Sequence, residues 1–361
     1  MQKVYKYRAL SPFLFKELLY QELYFASCPE LNDPFDLNLS VNFNIQDISQ
    51  LRALTVPLIH NTLVISKTIS DADRENNAAL IRFSHDEARV DQFNQLVYDH
   101  LLKLKGDQPY IYAHKATEAI HAAIVESDLD FTFNVQKLFG TIERLTKMFL
   151  TNSYVTCFSS NPLSFLMWSH YAGGHQGVCL EFSLPNDGLF PMEMTGRREF
   201  LKGSAGDGYA EGNTGFYVYE EAILPVKYSD EPLQVNFFDF APVFLNEHDA
   251  DLRGLSKSKW HGYANHLQNL FVTKTSTWSY EQEWRMVEVN FAGPKEPEDR
   301  LLHYPIESLT AVYFGSNMNE ATKRRIAKIY NEKRHDLRYL ECKLSGDRQF
   351  IVEPWVFYED D

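Results

Sequence analysis

The chain begins with a pattern typical of a β-strand. In Val4–Leu10, VYKYRAL, Tyr5 and Tyr7 alternate with Lys6 and Arg8, and successive side chains of a strand point to opposite faces. The two tyrosines are therefore expected on one face and the two cations on the other. The pattern does not decide whether Tyr7 or Arg8 faces a binding site, so both are candidates.

A helix start and a turn follow this strand. Ser11 and Pro12 suit the beginning of a helix, because serine caps the first turn and proline fits the first helical position. Farther along, Pro29–Asp36, PELNDPFD, contains Asn32 and Asp33 followed by proline, which is a strong turn signal. A structural turn is the first interpretation, and Asn32 and Asp33 are also candidate contacts to a ligand.

The following part of the chain has the period of helices. Asp71–Lys105 and Tyr110–Val125 repeat apolar residues at three- and four-residue spacing, with charged residues between them. We therefore expect a helical insertion over residues 45–150.

After the insertion the pattern returns to short elements. Tyr154–Ser159, YVTCFS, predicts a strand, Leu163–Tyr171, LSFLMWSHY, a short helix, and Gln176–Phe182, QGVCLEF, a buried strand. The glycine pair before the last strand suits a helix end. This succession is expected to bring together a second group of candidate site residues: Ser159, Trp168, His170, Tyr171 and Glu181.

Two less regular segments precede the most informative stretch of the chain. Met192–Gly215 is rich in glycine, arginine and acids and predicts a loop, without the features of a phosphate-binding P-loop. Ser256–Thr273 predicts a helix with several aromatic residues. It leads into Thr275–Val289, TSTWSYEQEWRMVEV.

That stretch contains two acids and a cation at the start of a predicted strand. On an extended chain Glu281, Glu283 and Arg285 share one face. If the face is partly buried, the two carboxylates need a cation between them in order to ionise. A solvated strand face with a Glu–Arg ion pair explains the same pattern, and the segment alone favours that interpretation.

Composition narrows the class of protein. Of the 361 residues, 44% are hydrophobic and 14% aromatic, enough to bury one large or two moderate cores. No segment has the roughly 18 consecutive apolar residues of a membrane helix, and the first residues lack the apolar core of a signal peptide. We expect a globular cytoplasmic protein with no membrane partner.

The net charge and the spacing of the cysteines argue against three further classes of protein. The formal net charge of −14 argues against nonspecific binding to a nucleic-acid backbone. The four cysteines are far apart and show no CxxC spacing, so neither a disulfide framework nor a zinc ribbon is indicated.

No metal is expected. His170 and His175 are five residues apart, but the glycine pair between them breaks the helix that would place them on one face. A nuclease-like alternative, in which Glu281, Glu283 and Asp33 hold a metal ion, stays open, although the acidic composition disfavours it.

Four segments carry a resemblance to a known family. They are YKYR with NDPFD, CFSSNPLSFLMWSHYAGGHQGVCLEF, WSYEQEWR and VYFG, at residues 5–8 with 32–36, 157–182, 278–285 and 312–315. Together they resemble the bacterial family labelled domain of unknown function 2971. The label supplies no activity, but it implies that these motifs belong to one module.

A fold-level resemblance suggests chemistry. The order of a first strand with Arg or Tyr, a middle strand ending in Phe-Ser and a late strand with two glutamates is similar to ADP-ribosyltransferases of the Arg-Ser-Glu type. The resemblance implies NAD as substrate, with Arg8 holding a phosphate and Ser159 supporting the nicotinamide-ribose site. It also implies that Glu281 orients the acceptor and Glu283 stabilises the oxocarbenium ion formed when nicotinamide leaves.

Other details of this resemblance concern the aromatic residues and the fold. Tyr7, Trp168 or Tyr171 would stack on nicotinamide or adenine, while only a Ser-Ser pair follows Phe158 where the transferases usually have Ser-Thr-Ser. We expect an α+β fold with a mixed, mainly antiparallel split sheet similar to the ADP-ribosyltransferase core. In that fold, residues 1–361 form a single module in which 1–44 and 151–361 are the mixed α+β core and 45–150 the helical insertion.

Two functions from different classes are consistent with these residues. The first is an NAD-dependent ADP-ribosyltransferase or NAD glycohydrolase-like enzyme, acting on a macromolecular acceptor or on water, in the setting of a toxin or a phage-defence effector. The second is a non-catalytic nucleotide-sensing or protein-interaction module whose pocket is lined by Trp168, His170, Tyr171 and Arg285. The enzyme hypothesis requires segments from the start, middle and last third of the chain to meet around one cavity with an acid at its floor.

Overall fold

The chain divides into two compact units. The computed structural model describes residues 2–37, 39–66, 68–106, 108–151, 153–185, 188–197, 214–245, 270–289, 295–334, 336–347 and 350–356. The first unit comprises Met1–Leu37, Asn152–Glu231 and Gln268–Asp361, and the second comprises Asn38–Thr151 and Pro232–Leu267.

Helices and strands are both present throughout the described residues. The strands are β1 (Lys3–Arg8), β2 (Glu22–Tyr24), β3 (Ala26–Ser27), β4 (Ser40–Asn42), β5 (Ser153–Ser159), β6 (Val178–Ser183), β7 (Leu189–Arg197), β8 (Thr214–Ala222), β9 (Leu224–Pro225), β10 (Lys227–Tyr228), β11 (Gln234–Asn236), β12 (Thr273–Lys274), β13 (Glu283–Val289), β14 (Leu301–His303), β15 (Leu309–Phe314), β16 (Arg338–Leu344) and β17 (Phe350–Pro354). The helices are α1 (Pro12–Tyr20), α2 (Ser49–Thr62), α3 (Asp71–His85), α4 (Glu87–Lys105), α5 (Ala113–Glu126), α6 (Val135–Thr151), α7 (Phe165–His170), α8 (Phe237–Leu245) and α9 (Glu320–Asn331).

A large sheet forms the centre of the first unit. Within the described residues it has nine strands, in the order β17-β16-β15-β6-β1-β5-β13-β9, with β3 also paired to β5. All neighbours are antiparallel except β15 and β16. A smaller antiparallel sheet has the order β2-β14-β7-β8. The predicted α+β class with a mainly antiparallel sheet is therefore confirmed.

Strand β1 lies in the middle of the large sheet, and both of its faces are covered. Val4 belongs to one buried apolar cluster, whereas Tyr5 and Tyr7 belong to another, on the opposite face. The helix start predicted after this strand is confirmed, because the Ser11 hydroxyl accepts the Leu14 backbone N–H at the beginning of α1.

The second unit is mainly helical. The helices predicted from the apolar spacing of residues 71–105 and 110–125 are observed as α3, α4 and α5. Helix α8 also belongs to this unit, together with a short parallel pair of β4 and β11. Aromatic residues fill much of its interior, for example the stacked rings of Phe43 and Phe237, whose centroids are 4.6 Å apart.

One sequence prediction is wrong at its described ends. The loop predicted over Met192–Gly215 begins and ends in strands, because β7 and β8 pair from Leu189 with Ala222 to Arg197 with Thr214. The high content of glycine and charged residues concealed the strand pattern. Residues 198–213, and most of the helix predicted over Ser256–Thr273, lie outside the described residues.

Candidate functional site

A cavity of about 80 Å³ lies in the first unit, on the face of the large sheet that carries Tyr5 and Tyr7. Besides these two residues of β1, its lining includes Cys157 of β5, Tyr171 after α7, and Asn32 and Asp36 from the segment after β3. Lys274, Glu281 and Glu283 complete a charged wall. Segments from the start, middle and last third of the chain therefore meet around one cavity.

The register of the strands explains this convergence. Tyr5 in β1 pairs with Ser159 in β5, and Ser159 pairs with Glu283 in β13. Directly paired residues in neighbouring strands point to the same face. Tyr5, Ser159 and Glu283 thus form one row across three adjacent strands.

Glu283 and Arg285 form a buried ion pair at the cavity. Glu283 is 4% exposed and Arg285 is 0% exposed, so the interpretation as a solvated strand face is wrong. The guanidinium Nε lies 2.7 Å from Glu283 Oε1, and Nη2 lies 3.0 Å from Oε2. Arg285 also binds both carboxylate oxygens of Asp36, at 2.7 and 2.5 Å. One arginine fork therefore serves two carboxylates.

Lys274 connects these groups to a third carboxylate. Its Nζ atom lies 2.7 Å from Glu281 Oε2, 3.1 Å from Glu283 Oε2 and 3.5 Å from Asp36 Oδ2. The residue itself is buried. We call Asp36, Lys274, Glu281, Glu283 and Arg285 the charged cluster. With three carboxylates and two cations its formal charge is −1.

The two glutamates reach Lys274 from different kinds of backbone. Glu281 ends the 3-10 helix Ser276–Glu281, and Glu283 begins β13. Gln282 between them has a left-handed backbone conformation, with φ 45° and ψ 51°, which non-glycine residues adopt uncommonly. The predicted shared face of one continuous strand is thus replaced by a turn that directs both carboxylates towards one ammonium group.

Tyr171 and Asn32 extend the cluster on the cavity side. The Tyr171 hydroxyl donates a short hydrogen bond to Glu281 Oε1. It accepts a hydrogen bond of 2.8 Å from the side-chain amide of Asn32. Burial and the nearby Glu281 carboxylate raise the pKa of Tyr171, so its hydroxyl stays a proton donor at neutral pH.

The electrostatic environment separates the two glutamates. Burial alone would raise the pKa of Glu283, but Arg285 and Lys274 lower it to about 2. Burial raises the pKa of Glu281, and the Glu283 charge adds to that increase while Lys274 opposes it. Glu283 is therefore the carboxylate held firmly in its ionised form.

This difference predicts how acid affects stability. Because the pKa of Glu283 is about 2 in the folded protein, compared with an ordinary value of 4.5, its stabilising effect is complete above pH 4.5 and is lost as the pH falls towards 2. The contribution is on the order of 3 kcal/mol. The raised pKa of Glu281 has the opposite effect on the pH dependence of stability.

The Glu283→Gln variant lacks the carboxylate with the lowered pKa. Urea unfolding at several pH values should therefore show that this variant loses less stability in acid than the wild type. Equal acid dependence of the two proteins would contradict this prediction.

Several predicted site residues have other contacts. Arg8 lies on the opposite face of β1, where its Nε bonds Glu17 Oε2 at 2.7 Å; Tyr7 is the residue that faces the cavity. The phosphate contact implied for Arg8 by the resemblance therefore does not fit this geometry. Trp168 is fully buried, packs edge-on against Tyr7 and donates from its indole N–H to the Pro162 carbonyl. It is thus part of the core and does not offer a stacking face.

Ser159 and Asp33 form hydrogen bonds that hold nearby segments of the backbone in place. The Ser159 hydroxyl donates to the Glu281 carbonyl at 2.7 Å and accepts the Asn161 N–H at 3.1 Å, so it positions the segment that bears Glu281. Asp33 accepts the Phe35 N–H at 2.9 Å within the predicted turn, and Thr275 donates to its other oxygen at 3.4 Å.

The histidines have polar partners of their own. His170 is exposed and does not belong to the cavity lining, and its Nδ1 lies 3.1 Å from the Tyr280 hydroxyl. His175 bonds Ser169 through Nε2 at 3.1 Å. Among the residues that the structure describes, no group of three or more His, Cys, Asp or Glu side chains is arranged to hold a metal ion.

Two members of the charged cluster were missed by the sequence analysis. Asp36 is the last residue of the NDPFD turn, and Lys274 directly precedes the stretch that contains both glutamates. Their position in or beside these motifs could have indicated a role in the site. An aspartate or a lysine is usually exposed, however, and the sequence does not show which residues pair with it. The contact between Asp36 and Arg285 joins positions 249 residues apart.

This fold and site define an α+β protein with a partly polar cavity beside a buried charged cluster. Residues 167–286, about a third of the chain, match a family described as "Protein of unknown function (DUF2971)". The matched segment includes Tyr171, both glutamates and Arg285, but neither β1 nor Asp36. No curated protein and no solved structure matches the chain. None of the helices in the described ranges combines the length and apolarity needed to cross a membrane.

Proposed function

We propose that the first unit binds NAD by its nicotinamide-ribose end and cleaves the bond between nicotinamide and ribose. The ADP-ribose would pass to water or to a macromolecular acceptor. The observation that carries this proposal is the lining of the cavity, where Tyr5, Tyr7 and Tyr171 face a cluster with a formal charge of −1. Aromatic faces and a negative wall suit a flat, cationic ring.

The chemistry requires a carboxylate that acts on a developing positive charge. When nicotinamide leaves, the ribose becomes an oxocarbenium ion, and an anion beside it stabilises this transition state more than the ground state. Glu283 meets the requirement because its pKa is lowered to about 2 and it lines the cavity. Ser159 supports this arrangement by holding the backbone of Glu281.

The size of the cavity limits which part of the ligand enters it. Ligand pockets commonly measure about 300–1,000 Å³, and this cavity measures about 80 Å³. It therefore suits one ring end of a dinucleotide, with the remainder outside. The adjacency of β1, β5 and β13 also supports the resemblance to ADP-ribosyltransferases, with Tyr7 rather than Arg8 as the first-strand residue at the cavity.

A second candidate function is a non-catalytic nucleotide-sensing or protein-interaction module. It is favoured by Lys274, which already bonds both Glu281 and Glu283. Carboxylates paired in this way also occur in purely structural ion networks. Under this hypothesis the cavity binds a nucleotide or a partner protein without changing it.

One experiment distinguishes the two functions. The full-length protein is mixed with NAD, alone and with bacterial lysate, and free nicotinamide is measured by chromatography, while NAD binding is measured by calorimetry. We expect both binding and nicotinamide release. Binding without release would support the sensing module, and the absence of both would contradict the NAD proposal. For substitutions of the cavity glutamates, Glu22→Gln is a suitable control. Glu22 is buried and paired with Lys16 at 2.5 Å in the same unit, outside the cavity lining.

A further inference from the structure

Another buried carboxylate, outside the charged cluster, lies on the same face of the large sheet. Glu181 in β6 is 1% exposed and is paired directly with Tyr5 of β1. Its Oε1 accepts from Lys3 Nζ at 2.8 Å, from Arg338 Nη2 at 2.5 Å and from the Thr310 hydroxyl at 2.7 Å. Its Oε2 accepts from the Tyr313 hydroxyl at 2.9 Å.

Glu181 is bonded to two cations, one more than is needed to neutralise its single negative charge. One cation neutralises one carboxylate, and the two hydroxyls already satisfy part of its hydrogen bonding. Lys3 and Arg338 together leave a surplus charge of +1. Their side chains are 41% and 53% exposed, so this positive charge is presented to solvent. Because both cations bond the same oxygen, they lie side by side.

Lys3 and Arg338 lie on the face of the large sheet that carries the cavity. Lys3 shares a face of β1 with Tyr5 and Tyr7, and Arg338 pairs with Ala311, which in turn pairs with Glu181. Tyr5 therefore lines the cavity on one side and neighbours Glu181 on the other, one strand spacing of about 5 Å away. The rings of Tyr5 and Tyr313 are in edge-to-face contact at 6.1 Å.

We propose that Lys3 and Arg338, held together by Glu181, bind the phosphate groups of the ligand whose ring end enters the cavity. This inference rests on the proposed function and assigns to these two residues the phosphate contact that Arg8 does not make. The arginine fork and the lysine ammonium are both established partners of phosphate oxygens. The bond to Glu181 uses one of the five N–H donors of Arg338. A ligand with a cationic ring and an anionic phosphate thus meets a negative wall at one end and a positive pair at the other.

Calorimetry with sodium pyrophosphate, ADP-ribose and nicotinamide riboside tests the assignment on the full-length protein. Lys3→Gln and Arg338→Gln should each weaken pyrophosphate and ADP-ribose binding about tenfold, since a charge-assisted hydrogen bond contributes about that much. The affinity for the riboside, which has no phosphate, should stay the same. Lys343→Gln is the matched control, because Lys343 is a half-exposed lysine of β16 that pairs with Glu353 on the other face of the strand.

A variant of Glu181 separates phosphate binding from a structural role. Glu181→Gln removes the buried charge, while its amide oxygen can still accept the hydrogen bonds of Lys3 and Arg338 that hold the two cations together, so pyrophosphate should bind at least as tightly as to the wild type. If this variant binds pyrophosphate as weakly as Lys3→Gln does, the cations serve only the fold and the inference is wrong. Wild-type affinity for pyrophosphate and ADP-ribose in both cation variants would also overturn it, even if NAD is cleaved. Conversely, weaker phosphate binding in these variants without any nicotinamide release would uphold the site and reject the enzyme.

Discussion

Replacing Glu283 with glutamine is expected to lower the rate of nicotinamide release from NAD by about 10²- to 10³-fold, the usual effect of removing one preorganised electrostatic contact to a transition state. Glutamine has almost the same shape, so the cavity keeps its form. It lacks the negative charge that would face the oxocarbenium ion. The affinity for NAD should change much less than the rate, because the interaction develops mainly in the transition state.

The fold of this variant should persist because the two cations keep other partners. Arg285 retains its two bonds to Asp36, and Lys274 retains its bond to Glu281. Chromatographic assays of nicotinamide release, together with thermal unfolding, would check both statements. Glu22→Gln provides the comparison for a buried glutamate away from the cavity. Wild-type turnover by folded Glu283→Gln protein would show that this carboxylate does not act on the reaction.

The largest expected loss of stability follows from Arg285→Met. This change removes the guanidinium that bonds Asp36 and Glu283 and leaves two buried carboxylates with only Lys274 as a shared cation. Breaking a buried ion pair from one side costs about 3–5 kcal/mol. We expect a decrease of this size in the free energy of unfolding of the first unit. Four of the five tryptophans, Trp168, Trp278, Trp284 and Trp355, belong to that unit, so tryptophan fluorescence during urea unfolding reports mainly on it.

Two further variants make this measurement specific. Lys343→Met removes an exposed ion pair in the same unit and should cost at most about 1 kcal/mol. Adding Asp36→Asn to Arg285→Met removes one of the two buried carboxylates that have lost the guanidinium and should recover part of the loss. Equal destabilisation by Arg285→Met and Lys343→Met would show that the buried cluster contributes little to the fold.

Local patterns in the sequence predicted much of the fold. The alternation in residues 4–10, the strand-type residues at 154–159 and the Ser11-Pro12 helix start were sufficient to place β1, β5 and α1. Such signals work because the period of two in strands and the capping of helices are properties of short segments. The mainly antiparallel sheet was expected from the fold-level resemblance alone.

The details of the site depended on contacts that no short segment contains. Whether Tyr7 or Arg8 faces the cavity could not be decided from the alternation, because both faces of the central strand β1 are covered and tyrosine and arginine are both common at binding sites. The burial of Arg285 depends on Asp36, which is 249 residues away. Lys274 became part of the site only because the turn at Gln282 directs both glutamates to it.

That turn has a consequence for how the site tolerates change over evolution. Since the main chain at Gln282 reverses between the two acids, their separation is set by the number of intervening residues and only weakly by the side chain at that position. Gln282 is itself exposed, so glycine, asparagine or aspartate there, which adopt the left-handed conformation most readily, would leave the acids in place, whereas β-branched residues would strain the turn. Inserting or deleting one residue would instead shift the register of β13 and turn one carboxylate away from Lys274. The spacing of one residue between Glu281 and Glu283 is therefore expected to be kept even where the residue type at position 282 changes.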